Sequence, residues 1–198
     1  MGGHMSKLAA RVSLVTGGTQ GIGRAAAIAL ARRGDRVLFV GRDAQRGASV
    51  LRELFNVAPR RDHVFIRADL SLLSETARVA QRVRELTATL DAAIFCAVIL
   101  STLPEWTEEG LERNFVLNYL TRYLLAIRLL PLLLAAPSGR LVLVANAGRY
   151  RDTLDFDDLG HRRGRSGRYR GLHRELQLED PDPDHRPVAR HQRRGRAR

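Results

Sequence analysis

Lysine is nearly absent from this chain of 198 residues, because Lys7 is the only one and it precedes the first apolar segment. Cysteine is as scarce: Cys96 stands alone, which excludes an internal disulfide and suits a reducing cytoplasm. No cluster of His and Cys has metal-ligand spacing, so no metal site is predicted. We therefore expect a cytoplasmic protein without structural cross-links or metals.

Long apolar runs are also missing, since none reaches the roughly 20 residues that span a bilayer. No signal peptide is recognised, and residues 1–5 (MGGHM) resemble a cloning scar. Neither a membrane partner nor a secretory route is predicted.

Negative charge is in short supply, and the formal net charge is +12. Residues 161–198 contain 12 Arg against 5 acidic residues, with only seven apolar residues and three Pro. Such a segment cannot bury enough surface to offset its ordering entropy, so we expect a poorly ordered tail. Three interpretations stay open: a tail that binds an acidic partner, a solvated extension, or a reading-frame artefact. A nucleic-acid partner is not favoured, because acids and Pro interrupt the Arg and aromatic residues hardly interleave.

A glycine-rich turn is the most informative feature that is present. The segment Thr16–Gly23 (TGGTQGIG) lies between an apolar strand, Val12–Val15, and a helical pattern over Arg24–Arg33. Such a turn lets backbone N–H groups and the positive end of the helix dipole approach a diphosphate, although Gly punctuates any tight turn. A dinucleotide site is predicted at Gly17, Thr19, Gln20, Gly21, Ile22 and Gly23.

The second strand, Arg36–Val40, ends in Gly41 and Arg42, about 20 residues past the turn, where the residue that meets the adenosine ribose is expected. A carboxylate there would favour NAD. The planar cationic fork of Arg42 instead suits a 2′-phosphate, which predicts NADPH/NADP. The alternative is a solvated Arg that opens the next helix.

Strand and helix patterns alternate over residues 8–146. After the second strand come strands at His63–Arg67, Ala92–Ala97 and Leu141–Val144, the last expected to be buried. Helices are predicted at Leu73–Leu86 and Thr107–Leu134, the latter ended by Pro131 together with the run Leu129–Ala135. This alternation predicts an α/β fold of Rossmann type, a doubly wound parallel sheet with strand order 3-2-1-4-5 in three α/β/α layers. We expect residues 6–160 to form one NADP-binding domain and residues 161–198 the Arg-rich tail.

The spacing Thr-Gly-x-x-x-Gly-x-Gly of residues 16–23 resembles the short-chain dehydrogenase/reductase family. The resemblance implies that Asp69 and Leu70, after the third strand, meet the adenine; Asp69 or Ser71 is equally well interpreted as a helix N-cap. At the end of the fourth strand the family has Asn-Asn-Ala-Gly. This chain has Phe-Cys-Ala-Val at residues 95–98, so Cys96 and Ala97 are the residues expected to wall the nicotinamide.

The same resemblance assigns candidate catalytic residues. Leu117-Asn118 is similar to the family's Val-Asn, which implies that Asn118 kinks its helix and holds a water in a proton relay; a purely structural Asn is an equal alternative. Family members use Ser, Tyr and Lys. Here Asn146 takes the place of the Ser, and no Tyr-x-x-x-Lys exists because Lys7 is the only Lys. Tyr169 with His173 one helical turn later is a conceivable substitute acid pair.

The departures from the family pattern are similar to those of atypical ketoreductases of aromatic polyketide antibiotic pathways, such as the angucyclinone ketoreductases of simocyclinone biosynthesis. Residues 153–159 also resemble a loop of retinol-dehydrogenase-like members. The resemblance implies an NADPH-dependent ketoreductase whose partner is a small-molecule ketone; a homo-oligomer is left open. The alternative is a catalytically inactive or truncated NADP-binding or scaffold protein.

Overall fold

The computed structural model describes residues 11–101 and 104–145. Strands and helices alternate through this part of the chain: β1 (Val12–Thr16), α1 (Gly21–Arg32), β2 (Arg36–Gly41), α2 (Ala44–Val57), β3 (Val64–Arg67), α3 (Leu73–Leu86), β4 (Ala92–Phe95), a short α4 (Arg113–Phe115), a π-helical turn (Val116–Leu120), α5 (Thr121–Leu134) and β5 (Arg140–Leu143). The Arg-rich tail, residues 153–159, Asn146 and the Tyr169–His173 pair all lie outside the described residues.

The five strands in the described part form one parallel sheet in the order β3-β2-β1-β4-β5. The predicted fold class and strand order are confirmed. The central strand β1 is buried along its whole length, and its successive residues enter separate cores: Leu14 packs with α3 and α5, whereas Val15 packs with α1 and α2. Helices therefore cover both faces of the sheet, and the carboxyl ends of the strands meet at one edge.

The helix after β4 begins at Arg113, six residues later than the predicted start at Thr107. Gly110 has a φ of +71° and donates its N–H to the Thr107 carbonyl (2.9 Å), which closes a turn where the periodicity predicted helix. The Glu112 carboxylate then accepts the N–H groups of Asn114 (2.9 Å) and Phe115 (2.6 Å). A turn followed by a capping carboxylate explains the later start.

This helix ends at Leu134, as predicted, and Pro131 lies inside its last turn. A proline removes its own N–H from the ladder, and its ring crowds the carbonyl four residues earlier. The Pro131 carbonyl still accepts the Ala135 N–H (3.1 Å), and the Leu132 carbonyl accepts that of Leu90 (2.9 Å). The proline is therefore tolerated in the last turn.

The fifth strand is exposed, not buried as predicted, and Leu143 reaches 54 % exposure. Among the described residues β5 is the terminal strand of the sheet and pairs only with β4. Its apolar sequence therefore indicated the strand correctly but not its environment.

The helical segment Arg113–Leu134 has an exposed apolar face, formed by Tyr119, Tyr123, Ile127, Leu130 and Leu134. By length and composition alone this segment, with a mean hydropathy of 1.3, could cross a membrane. Core helices of soluble proteins meet the same criterion, and Leu125 and Leu129 on the opposite face are fully buried. The absence of a membrane partner stays a prediction.

Candidate dinucleotide and substrate site

The glycine-rich turn joins β1 to α1 at the carboxyl edge of the sheet. Gly17 has a φ of +66°, and a Cβ on it would lie 2.9 Å from the Ala97 nitrogen. A Cβ on Gly23 would lie 2.2 Å from the Gly17 carbonyl oxygen, so the first turn of α1 packs directly on the loop. The Gly18 N–H donates to the Val40 carbonyl (3.0 Å), which ties the turn to β2. Backbone atoms thus approach one another as only glycine permits.

The N-terminus of α1 faces open space. Gln20 is the N-cap in an extended conformation, its side chain does not cap the helix, and the first turn holds no acidic residue. A Cβ on Gly21, whose φ is +52°, would meet nothing within 4 Å, and Ile22 beside it is 67 % exposed. First-turn N–H groups that face open space fit a diphosphate at the positive end of the helix.

Two turn residues contact the second βα unit. Thr19 packs on Gly41, where a Cβ would lie 2.4 Å from the Thr19 Cγ2. Gln20 accepts, through Oε1, a hydrogen bond from the Nη1 of Arg46 in the first turn of α2. Arg46 is not among the residues predicted from the sequence; its position three residues after Asp43, the α2 N-cap, is the signal that could have indicated it.

Three arginine side chains, Arg42, Arg46 and Arg67, lie near the ends of β2 and β3. Arg42 is exposed, and among the described residues its side chain forms no hydrogen bond or ion pair. Arg67 donates from Nε to the Arg42 carbonyl (3.3 Å), and Arg46 lies across the turn. An unpaired guanidinium beside the site where a dinucleotide ribose is expected fits a phosphate ligand.

Asp69 forms a local turn after β3 and is not a helix cap. Its Oδ1 accepts from the Ser71 N–H (2.9 Å) and hydroxyl (2.7 Å). Burial alone raises the pKa of Asp69. The two hydrogen bonds from Ser71 and the positive charges of Arg113 and Arg42 lower it by more, so the pKa lies below its ordinary value. The Oδ2 atom is left available for an adenine amine.

The N-cap of α3 is Leu72, so the interpretation of Asp69 or Ser71 as the cap is wrong. The amides of Leu73 and Ser74 instead bind the carboxylate of Glu109 (2.7 and 3.0 Å), which is distant in sequence. Leu70 is buried, and its carbonyl accepts from the Thr121 hydroxyl at 2.6 Å. Its side chain belongs to the core that α3 and α5 form with one face of the sheet.

The loop after β4 starts at Cys96, because β4 ends at Phe95 and not at the predicted Ala97. Cys96 donates its N–H to the Thr16 carbonyl, and Ala97 donates its own to the Thr16 hydroxyl, both at 3.2 Å. Cys96 is buried, and burial raises the pKa of its thiol. Both residues are thus fixed against the dinucleotide turn.

One face of the helical segment after β4 holds this loop by hydrogen bonds from every fourth residue. The amide of Asn118 accepts from the Ile99 N–H (3.1 Å) and donates to the Ile99 carbonyl (2.8 Å). One turn earlier, Asn114 makes the same pair of bonds with Ser101 (3.1 and 3.3 Å). These two amide pairs, with the Arg122 contact to Ala97 described next, are called the loop rungs.

Arg122 lies one turn after Asn118 and completes the loop rungs, donating from Nη2 to the Ala97 carbonyl at 3.1 Å. Helix positions 114, 118 and 122 therefore hold backbone groups of residues 101, 99 and 97. Spacing of four along a helix places side chains on one face, and spacing of two suits an extended chain. The Asn-x-x-x-Asn-x-x-x-Arg pattern was visible in the sequence, but its backbone partners were not.

Asn118 lies in the π-helical turn, which agrees with the predicted kink. Both polar groups of its amide contact Ile99, which supplies the partners that a structural Asn needs. The structural and water-relay roles both stay predictions. Asn146, the other candidate catalytic residue, lies outside the described residues. The structure thus brings together Gly17–Gly23, Arg42, Asp69, Cys96, Ala97 and Asn118 along one edge of the sheet.

An open parallel sheet, a glycine turn that exposes helix amides and a polar carboxyl edge together define a dinucleotide-binding α/β domain. Residues 11–152 match the family model of the short chain dehydrogenases. The chain belongs to this family.

Curated relatives include the oxidoreductase andH of Emericella variicolor, which is 35 % identical over 82 % of this chain and 49 % of its own length. A Streptomyces protein provisionally named daunorubicin C-13 ketoreductase DnrU is 37 % identical over 80 % of this chain and 54 % of its own. The chain thus spans about half the length of these relatives.

Solved structures with the same fold include a short chain dehydrogenase of Escherichia coli, provisionally so assigned and complexed with NADPH. It is 30 % identical, with a TM-score of 0.59 over 67 % of this chain and 57 % of that one. The NADP complex of Pseudomonas aeruginosa RhlG is 31 % identical, with a TM-score of 0.58 over 72 % and 58 %.

Proposed function

We propose that this chain is an NADP(H)-dependent ketoreductase of the short chain dehydrogenase family that works without the Ser-Tyr-Lys set. The observation that supports it most directly is the unpaired Arg42 at the end of β2, beside a turn whose helix amides face open space. The NADP(H)-bound neighbours and the ketoreductase named among the relatives support the same conclusion.

Different residues of the edge would bind different parts of the cofactor. Gly17–Gly23 would hold the diphosphate, Arg42 the 2′-phosphate, and Asp69 the adenine amine through its free Oδ2. Ala97 and Cys96 would wall the nicotinamide half. When bound, NADPH supplies a hydride for a carbonyl carbon; the chain has to orient that carbonyl and provide for a proton.

No lysine other than Lys7 exists to lower the pKa of a tyrosine, so a Tyr acid in the family manner is not available. The proton would come from a hydroxyl beside the ketone of the substrate, with Asn146 as a donor to the carbonyl. Asn118 would act indirectly, by keeping the loop after β4 in place. Such a substrate is a hydroxylated aromatic ketone.

The test is NADPH oxidation by the purified protein with a panel of quinones and polyaromatic ketones. We expect reduction of ketones that carry a neighbouring hydroxyl. Tyr150→Phe and Tyr169→Phe should keep the rate within roughly tenfold, since loss of a general acid typically costs about 10²–10⁴-fold. Asn146→Ala should slow the reaction more than either. A collapse of the rate in one Tyr variant with intact cofactor affinity would show that this Tyr is the acid.

The second candidate is a cofactor-binding protein without catalytic activity, favoured by the absence of any lysine after Lys7. It predicts tight NADPH binding and no hydride transfer to any member of the panel. The two candidates therefore differ in one assay.

A further inference from the structure

The guanidinium of Arg122 lies beneath the loop that follows β4. Its Nη2 donates to the Ala97 carbonyl, while its Nε is buried and has no hydrogen-bond partner. A buried donor without a partner costs free energy that a nearby acceptor would recover. The cation is therefore held in place by one acceptor and remains incompletely satisfied.

This charge has no ion-pair partner in the part of the chain that the structure describes. Among the described residues no Asp or Glu forms an ion pair with Arg122. The Cys96 thiol lies close enough to Arg122 to interact with it electrostatically, and burial raises the pKa of that thiol, which favours its neutral form. Burial also lowers the pKa of Arg122, yet a guanidinium keeps its charge at any ordinary pH. A partly desolvated positive charge without a counter-ion favours an anion beside it.

The position of Arg122 relates this charge to the site. Ala97, which it contacts, abuts Gly17 of the dinucleotide turn, where a Cβ would lie 2.9 Å from the Ala97 nitrogen. Arg42 lies on the opposite side of that turn, at the end of β2. A ligand that lies along this edge and begins at β2 would therefore reach Arg122 only with the part that lies near β4.

The loop that Arg122 contacts carries exposed apolar side chains. The loop rungs hold residues 97, 99 and 101, and the alternating residues Val98 and Leu100 are 57 % and 43 % exposed. Apolar side chains on a loop that a cation contacts suit a flat ring that bears an ionisable hydroxyl.

We propose that Arg122 stabilises the phenolate that forms when the hydroxyl beside the ketone of an aromatic hydroxyketone gives up its proton, and thereby determines the substrate class. The inference rests on the proposed function. During reduction the carbonyl carbon gains the hydride, the O–H bond of the neighbouring hydroxyl breaks, and its proton bonds to the carbonyl oxygen. The phenolate left behind is stabilised by Arg122 and later takes a proton from water. Arg122 thus supplies a positive charge on the substrate side of a chain that has no lysine there.

The experiment compares two dyes, 1-hydroxyanthraquinone and its methyl ether 1-methoxyanthraquinone, bound to the full-length protein at pH 9. The hydroxy dye changes its visible absorption on ionisation. With the unmodified protein we expect the band of the ionised form and about tenfold tighter binding of the hydroxy dye than of its ether, the order expected for one charge-assisted hydrogen bond. Arg122→Gln should abolish both, and Arg122→Lys should retain the band.

Arg128→Gln is the matched control, because it removes the same charge from an exposed position of α5 and should change neither measurement. NADPH affinity and thermal melting verify folding, and Arg122→Met replaces Arg122→Gln if the latter melts below the assay temperature. An ionised band absent from the unmodified protein, or unchanged in Arg122→Gln, would overturn the inference.

Failure of the two proposals can be told apart. If the band depends on Arg122 but no ketone is reduced, the anion site is supported and the ketoreductase function is contradicted. If Arg122→Gln reduces hydroxyketones with the same rate and affinity as the unmodified protein, the ketoreductase function is supported and the anion site is contradicted.

Discussion

At the scale of single residues, Arg42 is predicted to set the choice between cofactors. Its guanidinium is exposed and unpaired among the described residues, so a 2′-phosphate would gain a charge-assisted contact without breaking another. We expect NADPH to bind at least about tenfold tighter than NADH, or about 1.4 kcal/mol, and Arg42→Ala to remove most of this difference. Fluorescence titration with both cofactors measures it.

Arg52→Ala is the control for this prediction, since Arg52 is an exposed arginine of α2 farther from the β2 end. It should leave the preference intact. Equal affinity of the unmodified protein for the two cofactors would show that Arg42 is only a solvated side chain.

At the scale of elements, two glycines of the β1–α1 turn are predicted to have different roles. A side chain at Gly23 would clash with the Gly17 carbonyl, whereas one at Gly21 would enter the open space in front of the helix. Gly23→Val should therefore lower the melting temperature and abolish cofactor binding. Gly21→Val should abolish binding with a smaller loss of stability, about 1–3 kcal/mol for its positive φ.

Thermal unfolding and NADPH titration of both variants check this prediction. Cofactor binding retained in Gly21→Val would contradict the assignment of that space to the diphosphate. A stable Gly23→Val protein would contradict the packing of α1 on the turn.

The loop rungs are predicted to be separable elements. Asn118→Ala should expose the Ile99 N–H to exchange, and Asn114→Ala that of Ser101, with a stability loss of about 1–3 kcal/mol for each unsatisfied group. Residue-resolved hydrogen exchange distinguishes the two amides. Asn56→Ala, at an exposed position of α2, should alter neither. Unchanged protection of Ile99 in Asn118→Ala would mean that the loop holds its path without the helix.

Elements whose pattern is local were predictable from the sequence. The glycine turn and helix α3 were found because spacing and period determine them, and the strand order followed from their alternation. The errors arose where distant groups decide: Glu109 supplies the cap that Asp69 or Ser71 was expected to give, and the exposure of β5 depends on what packs beside it. The roles of Asn114 and Arg122 depend on backbone atoms of a loop, which no sequence pattern displays.

At the scale of the whole molecule, His63 links stability to pH. Its ring is buried at the start of β3, and its Nδ1 accepts the Val37 N–H at 3.1 Å. Burial lowers the pKa of His63 below the ordinary 6.5, so the unfolded chain takes up a proton before the folded one does. Stability should be full above pH 6.5 and fall as the pH drops through 6.5 toward the lower folded value.

Urea unfolding at pH 8, 6.5 and 5.5 measures this dependence. His63→Asn, which keeps an acceptor near Nδ1 but cannot titrate, should flatten the curve over this range. The same slope in both proteins would place the titrating group elsewhere.

The loop rungs have a consequence for how this scaffold can diversify. They grip the backbone of residues 97, 99 and 101, so the path of the loop does not depend on the side chains that the loop carries. Val98 and Leu100 are exposed between the gripped residues and can be exchanged with little effect on the frame. A library randomised at these two positions alone, over an unchanged helix, would therefore vary the surface offered to a substrate while preserving the geometry of the edge.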